Sequence, residues 1–335
     1  MRAAFVTAYG RPVEVREITT PSARPGEVVV RVHAASVNPL DYKMRDGKLR
    51  MVTRGELPLV LGSDFSGVVE ARGAGVDDWT IGDEVYGFVG AGLGGCFAEQ
   101  LVVRAHHIAR KPANLSHVEA AAIPLVGLTA WQALVDQADL QKRQKLLVLG
   151  GSGGVGSMAV QIGVARGAWV SATCSDRNVD YVCDLGADMA IDYEHASLTR
   201  LVPRRHVVFD TVGGKWLAQA FQLVREGGTV VTITAIPTAD GLAAFGAPAW
   251  VQAVGSVANF VPSLRASAAE CAYLVHSVRP DAAGLHNLRE LAEAGRIKPH
   301  LARVLGLDDV EEALSISRSR RVRGKLVIDV AGSRR

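Results

Sequence analysis

Sulfur is scarce in this chain. Its 335 residues include four cysteines, Cys96, Cys174, Cys183 and Cys271, whose spacing matches neither a disulfide framework nor a zinc ligand set. They are expected to be free, mostly buried thiols in a reducing compartment, with the cytoplasm as the expected location. An excess of one charge is also missing. Lys and Arg number 37 against 34 Asp and Glu, a net charge of +3, too small and too dispersed to argue for nucleic acid. The segment Arg318–Lys325 does hold five cations. A solvated loop before the final strand accounts for it as well as a polyanion site does. An unbroken hydrophobic run is absent too. Residues 241–264 carry no charge, but Gly246, Pro248, Gln252, Gly255, Ser256, Asn259 and Pro262 interrupt them, so no membrane span is expected. An apolar wall, for a substrate pocket or a subunit contact, fits better. The first residues, MRAAFVTAYG, lack signal-peptide design and read as a strand. No internal repeat or low-complexity tract stands out.

Glycine, by contrast, is plentiful, with 35 residues, and its most telling cluster is LLVLGGSGGVG at 146–156. A short apolar run enters a turn in which Gly151, Gly153 and Gly156 fit G-x-G-x-x-G, and the helix-like SMAVQIGVARG follows. This strand–turn–helix context makes the motif specific for a dinucleotide. Glycines admit the pyrophosphate, and the helix N-terminus offers it N–H groups and a positive dipole end. Gly151, Ser152, Gly153, Gly154, Val155 and Gly156 are the expected cradle. Further strand-like runs follow: WVSATC (169–174), MAIDY (189–193), HVVFDTVGG (206–214) and GGTVVTI (227–233). Their alternation with helical segments predicts an α/β fold of the Rossmann type, a doubly wound parallel sheet.

The flanking regions differ. Residues 1–118 hold short strand-like runs, at 27–37, 66–76, 81–88 and 97–103, separated by Gly- and Pro-containing turns. They predict a β domain, a partly closed barrel. Ser116, with Glu119 three residues on, marks a helix start. After residue 284 come a helix (LHNLRELAEAG), a helical period over Asp308–Ser317, and a last strand, GKLVIDV, which is expected to return to the β domain. Expected boundaries are 1–118 for the β domain, 119–284 for the dinucleotide domain, and 285–335 for the return.

This order, with ASVNPLDYKMRDG (35–47), LPLVLGSDFSGVVEARGAGV (57–76), AAIPLVGLTAWQAL (121–134), LGGSGGVG (149–156) and RVRGKLVIDV (321–330), resembles the medium-chain dehydrogenase/reductase superfamily. That resemblance implies a GroES-like catalytic domain beside the dinucleotide domain. Within the superfamily the chain is most similar to the zinc-free quinone oxidoreductase and enoyl reductase branch. Where the zinc alcohol dehydrogenases have metal ligands, the matching positions are Asn38, Ser63 and Leu125, which cannot build a tetrahedral zinc site. No metal is expected. Without a strong Lewis acid, the suitable hydride acceptors are those whose conjugation spreads the developing charge: quinones and α,β-unsaturated carbonyls. The partner implied is a small apolar or conjugated carbonyl compound, and the resemblance further implies a homodimer through the edge of the nucleotide-domain sheet.

The resemblance places Asn38 beside the nicotinamide, as a donor to a carbonyl oxygen, although Asn-Pro also favours a turn. Lys43 falls where relatives have a proton-relay residue, and Tyr42 is a second acid candidate. Asp41 is expected to fix the local loop, and Ser63 and Asp64 to hydrogen-bond in the same pocket. Thr129 matches a position near the nicotinamide ribose or carboxamide. The tip of the second nucleotide-domain strand, Thr173–Ser175, carries no acid, which leaves room for a 2′-phosphate. NADPH is therefore the expected cofactor, held by Ser175 and Arg177. The resemblance adds Tyr193 and Arg320, with Lys325 from the same basic segment. A strand ending one or two residues later would instead let Asp176 favour NADH. Two further readings stay open: an enoyl reductase of a polyketide-like pathway, and an NADPH-binding regulatory partner without turnover.

Overall fold

The longest strand explains much of the β domain. EVVVRVHAASV is apolar on both faces over most of its length, and as β3 (Glu27–Val37) it is buried almost throughout. The computed structural model describes all residues except 51–56, 91, 93, 196–197, 245–246 and 333–335, so Gly246 lies outside the described residues. Two compact units emerge: residues 1–128 with 278–335, and residues 129–277.

In the first unit the strands are β1 (Arg2–Val6), β2 (Glu14–Glu17), β3, β4 (Leu59–Val60), β5 (Asp64–Arg72), β6 (Glu84–Phe88), β7 (Gln100–Arg104) and β8 (Ile108–Arg110). The nucleotide-type unit holds β9 (Lys145–Leu149), β10 (Trp169–Cys174), β11 (Met189–Asp192), β12 (Arg205–Asp210), β13 (Val224–Thr232) and β14 (Ala272–Val275), and the chain closes with β15 (Leu301–Gly306) and β16 (Lys325–Asp329). One edge of β3 carries β5. Its other edge is shared, by β7 along Glu27–Arg31 and by β16 along Ala34–Val37, all antiparallel. The C-terminal strand thus returns to the β domain as expected. A smaller sheet, β2-β1-β4, completes it. The core between them is built from Val28, Val30, Val32, Phe65, Val85, Phe97, Ile108 and Ile328.

The second sheet is ordered β11-β10-β9-β12-β13-β14, and every pairing is parallel. In chain order that is 3-2-1-4-5-6, the doubly wound arrangement, whose ligand crevice lies where the order reverses, outside the carboxyl ends of β9 and β12.

Helices of the first unit are α1 (Pro39–Arg45), α2 (His117–Ala121) and the start of α3 (Pro124–Trp131). The second unit adds α4 (Gly154–Ala165), α5 (Val179–Asp184), α6 (Leu198–Leu201), α7 (Lys215–Leu223), α8 (Ala239–Ala244) and α9 (Ala249–Ala268), and α10 (Ala282–Glu293) and α11 (Val310–Arg318) lie in the return. Ser116 caps α2 as expected: its Oγ accepts from Glu119 N at 3.3 Å, while the Glu119 carboxylate accepts from Ser116 N at 3.0 Å. The divisions fall later than 118 and earlier than 284. The buried Ala120–Ala122 and helix α2 pack on β3 and β5, and Tyr86 Oη donates to Leu285 O of α10 at 2.5 Å. Both helices therefore belong to the β unit.

The uncharged stretch forms α8 and most of α9. Among the described residues no helix is long and apolar enough to cross a membrane. Trp250, Val254, Val257, Phe260 and Leu264 of α9 are nonetheless exposed.

Candidate active site

The residues between β3 and α1, and those entering β5, converge in a buried polar cluster. Asn38, Asp41, Ser36, Ser63, Asp64 and Lys325 are all at most 4 % exposed. Lys325 Nζ donates to Asn38 Oδ1 at 2.6 Å and to Val37 O at 3.2 Å. Asn38 Nδ2 donates in turn to Asp64 Oδ1 at 3.0 Å and to Ser36 O at 3.3 Å. Asp64 also accepts from Ser36 Oγ at 2.6 Å and, through Oδ2, from Leu125 N in the first turn of α3 at 3.2 Å. Asp41 accepts from Asn38 N at 2.7 Å and from Ser63 Oγ at 3.2 Å. Asp41 thus fixes the loop, and Ser63 and Asp64 hydrogen-bond where the sequence led one to expect.

Two carboxylates and one ammonium share this space. Burial pushes the Asp41 carboxyl up to about 7 and raises Asp64, against the pull of Lys325; burial likewise lowers Lys325, against the pull of both acids. The nearby Cys96 thiol is raised by burial and by the same acids, so it stays protonated.

This arrangement revises two readings. Both amide hydrogens of Asn38 are engaged within the cluster, so donation to a substrate carbonyl would require one of these bonds to break. Lys325 was expected at a cofactor phosphate, yet its ammonium is enclosed by Asn38 and Val37, not presented at the surface. Lys43 is different. It lies on α1, half-buried, and no hydrogen bond or ion pair ties its ammonium among the described residues. Tyr42 is buried in the β-domain core with the Arg318 guanidinium 5.6 Å from its ring centre. Helix α1 is also held at its far end, where Arg45 binds Asp46 at 2.9 Å and Glu311 of α11 at 2.5 Å, and Arg318 binds Asp46.

In the second unit, β9 runs into the glycine turn, and α4 starts with Gly153 as its N-cap. A Cβ on Gly156 would lie 2.0 Å from Gly150 O, so the turn and helix touch there backbone to backbone. A Cβ on Gly153 would have nothing nearer than Gly150 O at 3.7 Å. That open face, bordering the free N–H groups of the first helical turn, suits a pyrophosphate. Ser152, Gly154 and Val155 are half-buried on the same turn, while Gly151 is buried against Ala172.

Strand β10 ends at Cys174, with Tyr193 N bonded to Cys174 O at 3.1 Å. Ser175 is therefore the first residue past the tip, and Asp176 lies in the turn beyond it. Asn178, which sequence reasoning missed, donates to Ser175 Oγ at 3.0 Å and Ser152 Oγ at 3.4 Å, joining the strand tip to the glycine turn. Arg177 is exposed and has no hydrogen bond or ion pair among the described residues. Tyr193 stands edge-on to Trp216, whose ring faces Lys215 Nζ at 4.9 Å. Across the switch point, buried Asp210 accepts from Val212 N, Gly213 N, Thr232 Oγ1 and Thr234 Oγ1 at 2.7–3.1 Å, shaping the loop after β12. The acid in FDTVGG was the signal for it. Thr129 is buried on α3. Arg320 is exposed in the turn after α11, in the β unit.

At the positions matched to zinc ligands, Asn38 offers an engaged amide, Ser63 a hydroxyl bonded to Asp41, and Leu125 only a backbone N–H. This donor set does not fit zinc. Among the described residues one group could gather a cation, Asp192, Glu194 and His195 after β11; it lies in the other unit.

A GroES-like β unit with an inserted 3-2-1-4-5-6 sheet and a dinucleotide cradle defines a nicotinamide-dependent oxidoreductase. Residues 24–113 match the alcohol dehydrogenase GroES-like domain, and residues 185–328 match the family described as zinc-binding dehydrogenase. The chain is 34 % identical over 335 residues to the mouse protein named NAD(P)H oxidoreductase RTN4IP1, mitochondrial, covering 91 % of this chain and 82 % of that one. It is 38 % identical over 232 residues to the NADPH-dependent alkenal/one oxidoreductase, chloroplastic, of Arabidopsis thaliana, covering 67 % and 59 %. The structure of the quinone oxidoreductase from Coxiella burnetii superposes with a TM-score of 0.86 at 29 % identity, over 98 % of this chain and 99 % of that one. The chain belongs to the medium-chain dehydrogenase/reductase family, in its quinone oxidoreductase and enoyl reductase branch.

Two outcomes test these geometries. Gly153→Ala should fold normally yet weaken dinucleotide binding tenfold or more, roughly, because its methyl occupies the pyrophosphate's side of the turn; Gly156→Ala should lose stability as well. Thermal melts paired with NADPH titrations separate the two. The second outcome concerns pH. Asp41 has a folded-state value of about 7 against an ordinary 3.8, so its contribution to stability is present below about pH 4 and lost as pH rises through about 7. His117, bonded to Ser66 Oγ at 2.7 Å and pushed down to about 4 by burial and by neighbouring His33, acts in the opposite sense: its contribution is lost as pH falls from 6.5 to about 4. Asp41→Asn should therefore gain stability over the parent as pH rises, by roughly 2–4 kcal/mol at pH 8, measured by denaturant melts across pH.

Proposed function

We propose that this protein is an NADPH-dependent reductase of quinones or of activated C=C bonds in α,β-unsaturated carbonyl compounds, working without metal. The observation that carries the reading is the combination of a dinucleotide cradle with a β-domain pocket region whose zinc positions hold Asn38, Ser63 and Leu125. When bound, the reduced nicotinamide supplies a hydride to an electron-poor carbon. The chain's own residues orient the acceptor, exclude water and handle the proton. Lys43 is our choice for the group that meets the developing oxyanion and returns a proton to it, since no hydrogen bond or ion pair ties its ammonium among the described residues. Asn38 then serves as the fixed N-cap of the helix bearing Lys43. Tyr42, packed in the core, is the weaker acid.

The preference for NADPH rests on β10 ending at Cys174, which leaves Ser175 at the tip and Asp176 beyond it. The uncommitted Arg177 suits a 2′-phosphate, and the Arabidopsis relative is NADPH-dependent by name. Tyr193 and Lys215 lie by the end of the neighbouring strand. A homodimer is supported by β14, which stands at one end of the sheet order, and by the exposed apolar face of α9, which packs against it. Four free cysteines suit a reducing compartment, and we retain the cytoplasm as our reading; the mouse relative is mitochondrial by name.

The test is oxidation of NADPH and NADH, followed by nicotinamide absorbance, against one panel of quinones and one of enones and enoyl thioesters. Turnover on either panel supports the reductase reading, and the better panel separates its two forms, an enoyl-thioester preference pointing to the biosynthetic enoyl reductase. Tight NADPH binding without turnover on both favours the regulatory-partner reading. Lys43→Met should lower kcat by about tenfold or more with NADPH affinity unchanged. Arg177→Ala should shrink the ratio of kcat/KM for NADPH over NADH by about tenfold; an unchanged ratio removes that contact.

A further inference from the structure

The hydrogen-bond chain Lys325–Asn38–Asp64 leads from β16 to the first turns of two separate helices. Asn38 is the N-cap of α1, which carries Lys43. Asp64 accepts from Leu125 N in the first turn of α3, which continues through Thr129. Among the described residues the Lys325 ammonium donates to Asn38 Oδ1 and Val37 O, and it hydrogen-bonds to no residue within either helix. The amide of Asn38 is thus suspended between a cation on its oxygen and an anion on its nitrogen, a placement in which each partner strengthens the other's hydrogen bond. The cation also matters for charge. Asp64 and Asp41 are both fully buried, and Lys325 is the cation that acts on both. Lys325 therefore does more than fill the end of β16.

We propose that Lys325 is a positioning residue: through Asn38 and Asp64 its buried ammonium holds the N-termini of α1 and α3 in place together. The lock itself follows from the contacts; its consequence for turnover, by fixing Lys43, rests on the reductase reading above.

Hydrogen exchange on the full chain tests the lock without any substrate. In Lys325→Met, the amides of residues 125–128 should exchange about tenfold faster or more, although no hydrogen bond of Lys325 reaches them, and those of 38 and 40–45 should follow. Faster exchange confined to β16 and residues 36–38 would overturn the proposal. Charge compensation gives a second, independent reading. Lys325→Met leaves two buried carboxyl groups without their cation, whereas Lys325→Met with Asp64→Asn leaves one, so the double variant should be more stable than Lys325→Met. This comparison also covers a single variant too unstable to purify. A double variant no better than the single one would sink the idea. Turnover then separates the lock from the reductase reading. On an acceptor that the parent reduces, Lys325→Met should lose about tenfold in kcat while NADPH affinity stays within about twofold; an unchanged kcat overturns the link to Lys43. A parent silent on every acceptor counts against the reductase reading, and hydrogen exchange still decides the lock.

Discussion

A single buried ammonium holds the β domain's polar interior together. Lys325 is the cation set against Asp41 and Asp64, and Asn38 links it to Asp64. Charges buried this way add little net stability, but removing the one cation typically costs about 3–5 kcal/mol, because the carboxylates are left uncompensated. The cluster therefore selects one arrangement more than it strengthens the fold. It fixes where α1 begins, and the ion pairs of Arg45 and Arg318 fix where α1 ends. The candidate proton donor projects from a short helix held at both ends, the kind of support a reacting group needs to keep its geometry.

The second unit works on a different principle. Its cradle is made almost wholly of backbone, and side chains enter only as braces. Asn178 ties the strand tip to the glycine turn, and Asp210 gathers two amides and two hydroxyls on the other side of the switch point. Such bracing lets a glycine-rich turn, flexible by composition, present a fixed set of N–H groups.

Much of this was legible in the sequence. Alternating strand and helix signals gave the parallel sheet, Ser116 with Glu119 gave a helix start, and GKLVIDV gave the returning strand. These are local patterns, or patterns repeated along the chain. The cluster was readable only in part: Asn38, Ser63 and Asp64 lie close in sequence, and their association was foreseen. Lys325 was not, because a lysine in a basic, glycine-containing segment reads as a loop cation or a phosphate partner. Only its pairing in β16 beside Val37 turns it inward. Asn178 and Asp210 were missed for a similar reason: a polar residue in a turn gives no sign of whether its side chain faces solvent or spans to another turn. The unit boundaries shifted because α2 and α10 are helices by pattern but pack on the β domain, a tertiary fact.

The path of the chain has a consequence for how the protein is made. Asn38 and Lys325 are separated by 287 positions, and β16 leaves the ribosome after β1 to β15. The inserted sheet, from β9 to β14, is continuous in sequence and can fold while synthesis proceeds. The β domain cannot finish, because part of the second edge of β3 waits for β16 and the two buried carboxylates wait for their cation. During that interval the N-terminal region holds an open strand edge and unneutralised acids, a state that invites association with other nascent chains. The protein thus matures from the middle outward, and the arrival of one lysine marks the moment at which its first hundred residues become a finished domain.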